Sequence, residues 1–187
     1  PKVFAKNHEN KIIIIEDCGS KHLQDMSFDK NLFLKAIDFP MRIQKIPLQE
    51  SFFNKFRLDA KRLGAELEFF KKYYLQHKSQ KLAKSLKLDS YIEKLCLAAS
   101  KQCFFPCHRD LHTRNFMVKN NELILIDFQD LMLANPVYDI CSLIFDNYYM
   151  LEEKTKKDLL PKAIRLVSQS TSLSYDQLWE ISLSTAV

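Results

Sequence analysis

Apolar positions along the chain change period several times, and each change predicts an element. Ile12 to Ile15 is a β-branched run that reads as a buried strand, preceded by Val3-Phe4-Ala5 across a polar turn and ended by Glu16-Asp17-Cys18-Gly19. Leu32, Phe33, Ala36 and Ile37 share one helical face from Lys30 to Asp38, with Asp29 placed to cap it, and Pro40 and Pro47 are expected to bracket an extended loop. From Ser51 to about Gln76, Phe52, Phe53, Phe56, Leu63, Leu67, Phe70 and Tyr74 recur at helical spacings. Leu82, Leu86 and Leu88 interleave with Lys71, Lys72, Lys78, Lys81, Lys84 and Lys87, which predicts an amphipathic surface helix, and another follows from Ser90 to Lys101.

Cys103-Phe104-Phe105 reads as a strand. Phe116-Met117-Val118 and Leu123 to Ile126 are each too short for a helix and flank Lys119-Asn120-Asn121-Glu122, which is turn chemistry, so they predict a hairpin. Beyond Pro136 an apolar helix is expected from Tyr138 to Leu151, then charged residues, then helices from Lys162 to Ser168 and from Tyr175 to Ser184. The fold class is therefore α+β and mainly helical.

Composition narrows the picture. A chain of 187 residues, 47% apolar and 12% aromatic, can fill the core of one domain. Glycine occurs only 2 times, so neither G-x-G-x-x-G nor G-x-x-x-x-G-K-[ST] exists here to cradle a triphosphate. The five cysteines fit a reduced, cytoplasmic protein, and no apolar run approaches the ~20 residues of a membrane helix. The net charge of +5 is modest, and a solvated amphipathic face explains the lysine run more economically than nucleic acid does. Cys103, Cys107, His108 and His112 superficially offer zinc ligands, but adjacent strand residues point to opposite faces.

The chemistry concentrates between His108 and Asp139. The expected hairpin brings Asn115 and Asp127 side by side at one end, with Asp110 on the loop leading in. Two oxygen ligands beside a third carboxylate suit a hard cation such as Mg²⁺ and a general base for a hydroxyl.

The pattern His108-Arg109-Asp110-Leu111-x-x-x-Asn115, followed by a strand and Asp127-Phe128, resembles the catalytic core of protein kinases and their small-molecule relatives. It is most similar to the aminoglycoside phosphotransferase and choline kinase family, closest to bacterial kinases that phosphorylate N-acetylmuramate or N-acetylglucosamine at the anomeric hydroxyl. Asp127-Phe128-Gln129-Asp130 replaces the D-F-G of protein kinases, and eleven residues between Asp127 and Asp139 leave no room for an activation segment. His112 stands where protein serine/threonine kinases usually carry lysine. The resemblance runs from Pro1 to about Leu151 and implies the C-terminal lobe of a protein-kinase-like fold with a catalytic β-hairpin.

By that resemblance residues 1–18 hold the last strand of a nucleotide lobe and the hinge, and residues 19–187 a helical catalytic and substrate lobe, the chain being truncated at both ends. Glu16, Asp17 and Cys18 would hold the adenine edge of ATP; the plainer reading is a strand and a turn. Asp110 is implied as the catalytic base, Asn115 and Asp127 as Mg²⁺ ligands, and His108, Arg109 and Asp139 as support for the loop. His112, Arg114, Asp130 and Glu66 are phosphate or substrate candidates, with a loop ion pair, a turn and a solvated helix face as alternatives for the last three. The implied reaction moves the ATP γ-phosphate to a hydroxyl of a small-molecule acceptor, a sugar or amino sugar, with no nucleic acid, membrane or stable protein partner indicated. A non-catalytic nucleotide-binding protein and a protein-kinase-like enzyme are the alternatives. The family's phosphate loop and ATP-contacting lysine have no counterpart here, so these residues alone are expected to be inactive or nearly so.

Overall fold

The computed structural model describes residues 1–47, 56–84, 86–100 and 104–185. The predicted helical positions Phe52 and Phe53 and the strand position Cys103 lie outside them.

Helix α1, Lys30–Ile43, starts where Asp29 predicts, its carboxylate accepting the Asn31 and Leu32 N–H at 2.8 and 3.1 Å. It runs past Asp38 and through Pro40, which does not open an extended loop. The buried stripe of Leu32, Phe33, Ala36, Ile37, Pro40 and Met41 continues unbroken, and that burial offsets the hydrogen bond proline cannot donate.

Helix α2, Ala60–Phe70, begins later than expected. Phe56 to Leu58 lie beside Leu133 instead: Leu133 N–H donates to Phe56 O at 2.8 Å and Leu58 N–H to Leu133 O at 2.7 Å. Leu58 is buried by that pairing, and Asp59 then caps α2 by accepting the Arg62 N–H at 2.9 Å. A π-helical turn, Lys71–Leu75, prolongs α2. Extended backbone at Ser79, with φ −160°, breaks the basic run into short turns where one amphipathic helix was predicted. Helix α3, Leu86–Ser100, packs back on α2.

The described strands form three two-stranded antiparallel ladders. In the first, β1 (Val3–Asn7) pairs with β2 (Ile12–Ile15). Ile12 to Ile15 are a strand but not a buried one, each being 51–61% exposed. A ribbon paired only with its own neighbour hides neither face. In the second, β3 (Phe105–Cys107) pairs with β6 (Met132–Ala134). The third is the predicted hairpin, β4 (Phe116–Lys119) with β5 (Glu122–Leu125), turned by Asn120 and Asn121 at φ 52° and 61°.

Helix α4, Tyr138–Ile144, stops well short of Leu151, for a reason that lies in the site. Helix α5, Glu153–Ser170, absorbs the charged stretch and Pro161 that were expected to precede it, because Leu159, Leu160, Ala163, Ile164 and Val167 form one buried face. Helix α6 is Tyr175–Thr185. The core gathers α1, α4, α5, α6 and the inner face of the hairpin around Phe33, Phe116, Ile140, Leu143 and Ile164. Phe116 is fully buried, with its ring 5.2 Å from that of Phe39, edge to face; this ties the hairpin to α1. Among the described residues no helix is long and apolar enough to cross a membrane.

Candidate active site

From β3 the chain enters a loop whose shape is set by two buried carboxylates. Asp139, in the first turn of α4, accepts the backbone N–H of His108 at 2.7 Å and of Arg109 at 3.0 Å. Burial pushes its carboxyl up to about 6, against the pull of those two donors. Arg109 is held at φ 74°, a conformation costly for a residue with a side chain, and the Asp139 grip supplies the constraint that maintains it. Asp146 is the second anchor. One oxygen accepts the Thr113 N–H and Oγ1–H at 2.8 and 2.6 Å, the other the Tyr148 N–H at 2.7 Å. Ending α4 at Ile144 is what frees Asp146 to turn back into the loop.

Asp110 lies between these anchors. Its Oδ1 is 3.0 Å from His112 Nε2, and its Oδ2 accepts from Asn115 Nδ2 at 3.2 Å. The same Asn115 nitrogen donates to the Asp110 carbonyl at 2.8 Å. One donor on each oxygen fixes the plane of the carboxylate, while 45% of the side chain stays open to solvent.

The hairpin delivers the third oxygen group. Ile126 N–H donates to Asn115 O at 2.9 Å, extending the ladder by one pair and setting Asp127 at the same end. Asp127 sits at φ 73°, ψ 51°, exposed, with its carboxylate in no hydrogen bond or ion pair among the described residues. His108 bridges loop and hairpin. Its ring lies under Phe128 at 5.0 Å, and Nε2 is 2.9 Å from Ile126 O. A carbonyl only accepts, so Nε2 carries the proton. Burial holds the imidazole below its ordinary value, against the charges of Asp110 and Asp127, and Nδ1 is left without a partner.

The arrangement fits a hard cation. Asn115 has committed its side-chain N–H to Asp110, so its Oδ1 is the atom it could offer a cation, with Asp127 following one residue after Ile126, whose N–H pairs with the Asn115 carbonyl. Mg²⁺ fills its remaining positions with waters and phosphate oxygens, so two protein oxygens suffice. Cys107 and His108, by contrast, are engaged elsewhere, Cys107 Sγ–H pointing to Asn135 O at 3.5 Å.

The remaining sequence-predicted residues are placed unequally. His112 and Arg114 both pack on the Tyr148 ring, at 4.8 and 4.6 Å. Glu66 on α2 pairs with Arg109 at 2.9 Å. Asp130 is exposed on a short 3₁₀ turn after Asp127. Glu16, Asp17 and Cys18 do not join the cluster. The Asp17 carbonyl accepts from Lys119 Nζ at 2.6 Å and Val118 N–H donates to Lys21 O at 2.8 Å, which sets this segment beside the turn end of β4, opposite Asn115.

Thr113, Asp146, Tyr148 and Tyr138 were not among the predicted residues. With Arg109, Asp110 and His112, three of them line a cleft of about 570 Å³: Tyr138, Asp146 and Tyr148. The signal for Asp146 was available as a lone carboxylate directly after the apolar stretch Ile140 to Phe145.

Against known proteins, the family model described as phosphotransferase enzyme family matches residues 11–156. No curated protein matches the chain. Among solved structures, it is similar to the aminoglycoside phosphotransferase APH(3'')-Id from Streptomyces rimosus, in complex with ADP and streptomycin. That similarity has a TM-score of 0.54 at 14% identity and covers 91% of this chain and 68% of the other, a likeness of fold.

Proposed function

The chain belongs to the phosphotransferase enzyme family, and from that premise we propose that it serves transfer of the ATP γ-phosphate to a hydroxyl of a small molecule, a sugar or amino sugar. The observation that carries this reading is the double use of Asn115: its side-chain N–H fixes Asp110, while its backbone carbonyl pairs with Ile126 and sets Asp127 alongside. A base and two cation ligands are thereby held in one frame.

Asp110 orients the acceptor hydroxyl and takes its proton late in the transfer, since phosphoryl transfer depends mainly on positioning and charge neutralisation. When bound, Mg²⁺ at Asn115 and Asp127 would offset the phosphate charge. His112 and Arg114, steadied on Tyr148, supply positive charge at the edge of the cleft, with Asp130 as a further contact to substrate or metal-bound water. His108, Arg109 and Asp139 hold the loop, and Glu16 to Cys18 act as the adenine hinge. A small acceptor is favoured because the segment after Asp127 turns once and enters β6 and α4 directly, without a loop to hold a protein. The similar solved structure, bound to ADP and streptomycin, supports nucleotide use and a small-molecule substrate.

The test is ATP consumption against sugars, aminoglycosides and choline, on these 187 residues and on an N-terminally extended form. Turnover is expected from the extended form and little or none from these residues alone, in which neither G-x-G-x-x-G nor G-x-x-x-x-G-K-[ST] occurs. Mg²⁺-dependent nucleotide binding without turnover of any acceptor would replace the kinase reading with a binding one.

A further inference from the structure

Two hollows meet behind the catalytic loop. The polar cleft beside Asp110 and a second cavity of about 310 Å³ between α2 and α3 share two lining residues, Tyr138 and Thr185. The second cavity is of another character: Leu63 and Leu67 of α2 face Leu88, Ile92 and Leu95 of α3 across it. Its size falls in the range of about 300–1,000 Å³ typical of ligand sites. Close-packed interiors leave few hollows larger than a water molecule, and most of the residues lining this one are apolar, the polar groups Asn135, Tyr138 and Thr185 among the exceptions. Helix α2 accordingly has no fully buried residue, although it carries Leu63, Leu67 and Phe70 on this side. Nothing in phosphoryl transfer to a bare polyol uses such a chamber.

We propose that the chamber takes the hydrocarbon part of the acceptor, so that the substrate is an amphiphile with its reacting hydroxyl at Asp110 and an alkyl, acyl or aryl substituent between α2 and α3. This deepens the phosphotransfer reading and rests on it. The shared wall of Tyr138 and Thr185 is what commits the chamber to the acceptor: a molecule anchored in the cleft lies directly beside the apolar space. Tyr138 stands at the junction with Arg109 and Glu66 as charged neighbours, and burial pushes its phenol up to about 12, so it meets the ligand as a neutral donor. The polar head thus has Arg109, His112 and Asp110 on one side of the junction, and the substituent has leucines and isoleucine on the other. Each methylene that leaves water for the chamber should strengthen binding about fourfold.

The experiment uses the neutral fluorescent dye N-phenyl-1-naphthylamine on the unmodified chain and displaces it with methyl, butyl and hexyl β-D-glucopyranoside. One saturable dye site is expected, with displacement at least about tenfold stronger for hexyl than for methyl. Ile92→Trp, which fills the chamber, and Leu67→Gln, which makes it polar, should each weaken dye binding at least about tenfold. Absence of a saturable site, equal displacement by methyl and hexyl glucosides, or unchanged dye binding in both variants would overturn the proposal. Turnover of the same glucosides by the extended form separates the two readings. Chain-length-dependent binding without phosphorylation leaves the chamber and removes the kinase, whereas equal kcat/KM across the series leaves the kinase and removes the chamber.

Discussion

The candidate-site loop with its hairpin, residues 105–148, and the arm built by α2 and α3, residues 60–100, are ordered by opposite means. In the loop, buried carboxylates collect backbone N–H groups from far along the chain: Asp139 reaches His108 and Arg109, and Asp146 reaches Thr113. In the arm, order is helical and local, with exposed Phe69 and Tyr73 in ring contact at 4.3 Å, and Lys71 paired to Asp89 and Glu68. Charge divides the same way. Residues 60–100 hold nine of the 28 basic residues and four of the 23 acidic ones, so the whole formal charge of +5 lies there and the rest is balanced. A region that fixes the proposed reacting groups uses carboxylates as internal fasteners; a region that would shape a binding space can leave its charges to solvent.

The largest effect should come from the group that the fasteners exist to hold. Asp110→Asn in the extended form is expected to lower kcat by about 10²-fold or more, with little change in melting temperature. Wild-type turnover in that variant would remove Asp110 from the mechanism and leave the loop a purely structural device. Tyr73→Ser in the arm is the control, expected to leave kcat unchanged and to cost about 0.5–1.5 kcal/mol through the lost Phe69 contact, because the residue is 53% exposed and lines neither cavity.

Asp139 comes next, measured by chemical denaturation. Asp139→Ala leaves two buried N–H groups unpaired and should cost roughly 2–4 kcal/mol. Its pH dependence runs against the usual carboxylate. Because the folded-state value is raised from 3.8 to about 6, the folded chain binds this proton more tightly, and the stabilisation is fully present below about pH 4. It is lost as pH rises through about 6, a loss of about 3 kcal/mol attributable to this group. Asp139→Asn should flatten that segment of the stability profile, and an unchanged slope between pH 4 and 6 would count against it.

These fasteners also explain what could be read in advance. Asp110, Asn115, Asp127 and Asp139 were picked out by a local pattern with fixed spacing, and the structure sets Asp110 on Asn115 and Asp139 on the loop backbone; the hairpin was legible because period two and an Asn-Asn turn are local signals. Asp146 was not, since its meaning depends on Thr113, 33 residues away. The same holds for Pro40 and Pro161: proline reads locally as a stop, whereas the buried stripes of α1 and α5 are decided by packing. Phe56 fitted a helical period yet pairs with Leu133, a partner no window of sequence contains. Thr113→Val tests the long-range fastener with a smaller effect. It removes the hydroxyl donor to Asp146 while keeping the backbone one, and should cost about 1–2 kcal/mol.

The smallest expected effect tests an ion pair that joins the two regions. Glu66 on α2 meets Arg109 of the loop at 2.9 Å, with the two side chains 40% and 21% exposed. A pair this open to water contributes little to stability, so Glu66→Gln should change unfolding free energy by less than about 1 kcal/mol. Its position is the stronger argument: Arg109 lines the cleft beside Asp110 and is already held at φ 74° by Asp139, so Glu66 has only the guanidinium left to orient. Freeing that group should raise the acceptor KM severalfold and leave kcat near wild type, since Asp110 and Asn115 are held by other bonds. A fall in kcat with KM unchanged would instead place Glu66 among the groups that act on the reacting hydroxyl, and the division between a loop that fixes and an arm that shapes would fail at its junction.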